Sequence, residues 1–135
     1  MNQINAYLTF DGNCREAMTF YAEAMGAEIH IMTFGDMPQC PQGANDRVMH
    51  ARIDKGAAVL MASDSMPGTP FTAGNNFSIS VNCDDTAEVD RLFSALGAGG
   101  AGTMPPQDMF WGAYFAMVTD KFGLQWMFNF DKPKA

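Results

Sequence analysis

Two stretches of the chain alternate between apolar and polar side chains. Ile4, Leu8 and Phe10 alternate with Asn5, Tyr7 and Thr9, and Phe77, Ile79 and Val81 alternate with Asn76, Ser78 and Ser80. A period of two marks a strand buried on one face only. Downstream of each stretch the period lengthens to that of a helix. Ala17, Met18, Tyr21, Ala24 and Met25 form one apolar stripe, with Gly26 placed to end it. Val89, Leu92, Phe93 and Leu96 form the other, opened by Asp85 or Thr86 as N-cap and closed by Gly97. Three strands are expected after each helix: residues 27–34, 47–53 and 57–63 in the first half, then a weak strand 98–104, 111–119 and 124–130 in the second. The segments "DMPQCPQGAND" and "SMPGTPFTAGN" read as loops from their Pro, Gly and Asn content.

The two halves are copies of one pattern. "NAYLTFDGNCREAMTFYAEAMGAEI" lies over "NFSISVNCDDTAEVDRLFSALGAGG" without a gap, setting Asn5 on Asn76, Leu8 on Ile79, Phe10 on Val81 and Gly26 on Gly97. The expected fold class is α+β, with two tandem βαβββ units forming curved mixed sheets around a cavity. The units run from about residue 1 to 66 and from about 75 to 131, within one domain spanning 1–135. Each helix can cover one sheet face, the face of Leu8, Phe10, Phe77, Ile79 and Val81. Asn5, Tyr7, Thr9, Asn76, Ser78 and Ser80 are left on the other, which meets water or lines a hollow.

Composition narrows the field. The net charge is −7 and the eight Lys and Arg residues are scattered, so no clustered positive surface is available for nucleic acid. No apolar run is long enough to span a bilayer, and "MNQINAYLTF" lacks the basic end and apolar stretch of a signal peptide. A cytoplasmic protein without membrane contact is expected. The three cysteines, Cys14, Cys40 and Cys83, form no CxxC pair and read as free thiols. Twelve methionines are the oddity of the composition, read chiefly as adaptable core.

The paired βαβββ pattern, with "YLTFDGNCREAMTFYAEAMGAEI", "FGDMP", "MASDSMPG" and "FWGAYFAMVTDKFGLQWMFNF", resembles the vicinal oxygen chelate superfamily of glyoxalases, bleomycin-resistance proteins and dioxygenases. Within it the motifs resemble the PhnB-like, demethylubiquinone-methyltransferase-like branch. Metal-binding members take one ligand from the first and one from the last strand of each unit, commonly His or Gln, Glu, His and Glu. Carried over by the motifs, those positions here are Asn5, Met61, Asn76 and Met127. Divalent ions of the Mg, Mn, Zn, Ni or Fe(II) type need imidazole or carboxylate donors, whereas thioethers suit soft ions such as Cu(I). The resemblance with these substitutions therefore implies no metal and no cofactor. It also implies a two-fold homodimer.

Other residues carry possible chemistry. In "RVMHARID", parity sets Val48, His50 and Arg52 opposite the helix-covered face of Met49, Ala51 and Ile53. His50 is a candidate acid or base, or with Arg52 an anion contact; the alternative is a histidine bonded within the sheet. Trp111 shares the parity of Phe115 and Met117 and is a candidate pocket wall, or else core. His30 reads as a surface residue, Asp64 as a cap for the following loop or a catalytic carboxylate, and Asp120 as a turn residue. "GAGGAG" at 97–102 matches GxGxxG by letter, but it follows a helix and precedes "TMPP", so it reads as a helix exit and not a dinucleotide loop.

The leading expectation is a metal-free small-molecule-binding protein whose ligand touches Asn5, Tyr7, His50, Arg52, Met61, Asn76, Trp111 and Met127. The runner-up is a metal-independent enzyme of lyase or isomerase type using His50 as its acid or base, aided by Asp64 or Tyr7. A metal-dependent glyoxalase or dioxygenase is implied by the resemblance alone, and the four ligand positions argue against it. A methyltransferase is disfavoured because no S-adenosylmethionine motif is visible.

Overall fold

A computed structural model describes residues 1–40 and 43–133. Residues 41 and 42 of the "DMPQCPQGAND" segment and the last two residues lie outside that description. Within it the chain forms two compact units, Met1–Thr72 and Ala73–Ala135. Among the described residues each holds one α-helix and four strands in the order βαβββ, the first with a short 3-10 helix (Phe34–Asp36) besides. This makes the fold α+β and bears out the repeat read from the sequence.

In the first unit β1 (Tyr7–Phe10), α1 (Cys14–Met25), β2 (Glu28–Thr33), β3 (Val48–Lys55) and β4 (Ala58–Asp64) build a sheet of order β1-β4-β3-β2. Parallel pairing of β1 with β4 and antiparallel pairing elsewhere make the sheet mixed. The alternation in β1 behaves as expected: Leu8 and Phe10 are buried while Tyr7 and Thr9 are exposed. The helix lays Cys14, Ala17, Met18 and Tyr21 on the sheet, all fully buried, against Val48, Ala51, Ile53 and Ala62. Burying side chains of this size contributes roughly 1.5–3 kcal/mol for each large one. Gly26 ends α1 at φ 63°, the left-handed conformation that a glycine adopts at no steric cost.

The N-terminus of α1 is not capped by its own Asn13. Instead Asp64, buried at the end of β4, accepts hydrogen bonds from Gly12 N at 2.8 Å and Cys14 N at 3.0 Å through one oxygen. Its other oxygen accepts from Val48 N at 2.8 Å. One carboxylate thus ties the entry to α1 and the start of β3 to the end of β4. A negative charge there also complements the helix dipole.

The second unit repeats the plan with β5 (Ile79–Asn82), α2 (Thr86–Gly97), β6 (Ala101–Asp108), β7 (Ala113–Thr119) and β8 (Gln125–Asp131), in the order β5-β8-β7-β6. Asp85 is the N-cap of α2, accepting from Glu88 N at 2.8 Å, while the Glu88 side chain accepts from Asp84 N at 2.9 Å. Val89, Leu92 and Leu96 of α2 bury against Ala116, Val118, Trp126 and Phe128.

Strand β6 begins and ends later than the expected 98–104, and includes Pro105 and Pro106, which the sequence placed in a loop. Proline donates no hydrogen bond and is tolerated at a sheet edge. Here β6 is the edge strand, and its pairing with β7 shifts on both sides of Met104. Trp111 lies in the turn before β7 and not within the strand. Phe77, expected on the helix-covered face, precedes β5 and is exposed, because the strand begins only at Ile79. Val48, expected beside His50 on the open face, is fully buried. The ladder slips between Met32 and Thr33 so that Thr33 pairs with Val48 and Met32 with His50, leaving Met49 as the extra residue.

Candidate ligand-binding faces

Each sheet has one face under its helix and one open face, and the open face collects the polar and thioether side chains. In the first unit the ladder sets Tyr7 level with Met61, Met61 level with Arg52, Arg52 level with His30 and Met32 level with His50. Residues paired in this way project to the same side of a sheet, so strands remote in sequence present one continuous surface.

The centre of that surface is a hydrogen bond between the Tyr7 hydroxyl and His50 Nδ1, 3.0 Å long, between residues 43 positions apart. The rings lie nearly parallel, with centroids 5.8 Å apart. With a neutral imidazole the pair has two arrangements. Either Tyr7 donates to Nδ1 and His50 presents an Nε2–H donor, or Nδ1–H donates to Tyr7 and His50 presents a bare Nε2 with the hydroxyl proton free. Both offer one oriented donor and can take up or release a proton. Arg52 is engaged by Asp54, its Nε donating to both carboxylate oxygens at 3.0 and 2.9 Å; that bond holds the guanidinium charged and the Asp54 carboxyl below its ordinary pKa. His30 is exposed on the edge strand, with Glu28 3.8 Å away, as a surface residue should be.

Asn5 and Asn76 both precede their strands and are exposed. Asn5 donates to the Gln3 side chain at 3.1 Å. Met61 and Met127 are half-buried on the open faces, but at different levels. Leu8 pairs with Ala62 and Ile79 with Trp126, so the ladder counterpart of Met61 is Gln125, and that of Met127 is Ser63. The open face of the second unit carries Ser80, Met127, Met117 and Met104 in one row, with Phe115 and Asn129 in the next. Trp111, half-exposed, sets its ring against the edge of Phe115 at 5.7 Å between centroids, and Phe110 continues the series at 5.2 Å. The geometry therefore joins Tyr7, His50, Arg52 and Met61 in one unit, and associates Trp111 with the methionine-bearing face in the other.

What sequence reading missed was the Tyr7–His50 bond, in which side chains of β1 and β3 meet across the intervening strand β4. Asp64 and Asp120 are committed to backbone and indole donors. Burial pushes the Cys14 thiol up to about 12 and that of Cys83 up to about 11, with the charges of Asp64 and Glu88 adding to the respective shifts.

The fold of two βαβββ units with one helix per mixed sheet is shared with solved structures described as glyoxalase/bleomycin resistance protein/dioxygenase proteins. A protein of that description from Burkholderia phytofirmans PsJN aligns over 96% of both chains, with a TM-score of 0.62 at 18% identity. More specifically, the chain belongs to the PhnB-like family described as 3-demethylubiquinone-9 3-methyltransferase, whose profile matches residues 2–128. Protein PA1353 from Pseudomonas aeruginosa is 45% identical, with a TM-score of 0.89 over 98% of this chain and all of that one. A putative 3-demethylubiquinone-9 3-methyltransferase, PhnB protein, from Bacillus cereus is 28% identical, with a TM-score of 0.76 over 96% of this chain and 99% of that one.

Proposed function

We propose that this protein binds a small organic molecule on the open faces of its sheets, without a divalent ion at the positions that serve as ligands in metal-binding relatives. The observation that carries this reading is the Tyr7–His50 pair. A half-exposed phenol and an imidazole are oriented by one another on a surface that its own helix does not cover. Two oriented polar groups beside the half-buried Met61 thioether suit a ligand that is partly apolar with one or two polar substituents. At the positions carried over from the superfamily, two amides and two thioethers offer no imidazole or carboxylate to a hard divalent ion. A homodimer and a cytoplasmic location belong to the same reading.

Native mass spectrometry of protein purified without denaturation tests it. The expected result is a non-covalent organic adduct, lost on unfolding and weakened in Tyr7→Phe and His50→Ala. A requirement for one equivalent of Mg, Mn, Zn, Ni or Fe(II) for ligand binding or turnover would overturn it.

The same hydrogen bond supports a second reading, in which His50 transfers a proton on a carbonyl-containing substrate while Tyr7 fixes its tautomer. Turnover would then follow a titration curve that His50→Ala abolishes. A substrate converted at full rate by His50→Ala would exclude it.

A further inference from the structure

Three methionines occupy one row of the second sheet. Met104 of β6 pairs with Met117 of β7, and Met117 pairs with Met127 of β8. All three are half-buried and lie on the open face, away from α2. Simple alternation along β6 would not align them. Gly102, which faces the Phe93 ring of α2, pairs with Val118, and the shift after it leaves Thr103 as the extra residue and brings Met104 opposite Met117. Adjacent strands run about 4.8 Å apart, so the outer two lie about twice that distance from each other. Methionine has three rotatable bonds, and the outer side chains can lean over the central strand to bring three sulfurs around one point.

Thioether sulfur is a soft, neutral donor that selects monovalent soft ions and has little affinity for hard or borderline divalent ones. The rest of the row and its surroundings add no stronger competing donor: Ser80 stands beyond Met127, and Phe115 and Asn129 fill the next row. Among the described residues, no group of three or more His, Cys, Asp or Glu side chains is placed to hold a metal ion. The net charge of −7 favours any cation.

We propose that Met104, Met117 and Met127 form a three-thioether site for a soft monovalent cation of the Cu(I) or Ag(I) type. The site lies wholly within the second unit. It involves neither the Tyr7–His50 pair nor any redox step, since the ion enters and leaves in the same oxidation state.

Silver(I) is the probe, being inert to air oxidation. Cysteine thiolates would outcompete thioethers, so the titration uses the full chain carrying Cys40→Ser, at pH 7 in chloride-free buffer. Cys14 and Cys83 are buried; because Ag(I) displaces the proton of any thiol it reaches, the titration is run in two buffers of different ionisation heat, where a thioether site releases no proton and a thiol site releases one. Calorimetric titration is expected to give one Ag(I) per chain. Affinity should fall at least about ten-fold in Met117→Leu, which keeps volume while removing the central donor, and binding should vanish when all three methionines are leucine. X-ray absorption of the Cu(I) form should show sulfur at thioether distances. Unchanged stoichiometry and affinity in Met117→Leu, or in the triple variant with native circular dichroism, would overturn the assignment. So would a first shell containing only nitrogen, oxygen or thiolate. Failure of Ag(I) binding with an intact organic adduct would sink this site and leave the proposed function standing; loss of the adduct in Tyr7→Phe with Ag(I) binding intact would support the two as separate.

Discussion

The indole N–H of Trp126 donates to Asp120 Oδ2 at 2.8 Å, and both residues are buried. The other carboxylate oxygen accepts from Phe122 N at 2.8 Å and Leu124 N at 3.0 Å. Asp120 therefore fixes the turn between β7 and β8 and, through the same side chain, anchors the largest core residue of the second unit.

Replacing Asp120 by Ala should cost about 2–4 kcal/mol, because several donors lose a charged acceptor and water cannot easily replace it. Asp120→Asn should cost less: its carbonyl can still serve one side, but its amide turns a donor toward the other. Urea denaturation followed by Trp fluorescence measures both. Loss of less than about 0.5 kcal/mol in Asp120→Ala would contradict this role.

Much of the fold was legible because its signals are local. Leu8 and Phe10 alternate with Tyr7 and Thr9 whatever lies across the sheet, and Gly26 and Asp85 mark helix ends by their own stereochemistry. The misplaced features all depend on pairing. Pro105 and Pro106 look like a loop until β6 is known to be an edge strand, and Val48 has open-face parity until the slip beside Met49 buries it. The site suffered more. No local pattern sets Tyr7 beside His50, and the motif positions carried over from the superfamily equate Met61 with Met127 where the ladders equate it with Gln125. The role of Asp64 as a cap was legible in kind, but the capped helix lies 50 residues earlier in sequence.

Asp64 gives the second prediction. Its oxygens accept from Gly12, Cys14 and Val48 backbone groups, so Asp64→Asn must turn its amide donor toward at least one N–H. A loss of about 2–3 kcal/mol in denaturant stability is expected. Ligand affinity, measured where the variant is still fully folded, should change little. Full stability with abolished binding or turnover would instead make Asp64 part of the site.

The thiols should differ in reactivity and in their effect on alkaline stability. Cys40 is half-buried, with Asn45 Oδ1 2.9 Å from its sulfur, whereas burial raises Cys14 from 9.0 to about 12 and Cys83 from 9.0 to about 11. Under native conditions at pH 8, one equivalent of a maleimide should react, at Cys40, and three after unfolding. A thiol whose pKa is higher in the folded chain favours folding fully below its unfolded value and loses that contribution as pH rises through the folded value. Stability should therefore fall between about pH 9 and 12, and less steeply in Cys14→Ala. Equal slopes in both proteins would show that Cys14 does not drive the loss.

The "GAGGAG" run should behave as a packing element, and its glycines should differ among themselves for reasons visible in the fold. A Cβ on Gly100 would run into the Thr119 carbonyl oxygen and come within 2.8 Å of the Asp120 carbonyl carbon, both backbone atoms that cannot turn aside. A Cβ on Gly102 would meet the Phe93 ring at 2.6 Å, a side chain that can shift at the cost of its contacts. Gly112, in the turn that carries Trp111, has φ +89° and nothing within 4 Å of the added atom, so an alanine there bears only the left-handed backbone penalty of about 1–2 kcal/mol. Gly100→Ala should be the most damaging of the three, by more than about 2 kcal/mol, because the loop must move away from the β7–β8 turn that Asp120 holds. A phosphate-cradling loop would make the opposite prediction: unchanged stability with nucleotide binding lost. Thermal denaturation of the three variants, with and without a dinucleotide, separates the two, and a stable Gly100→Ala chain would show that close backbone packing is not the reason for the glycine.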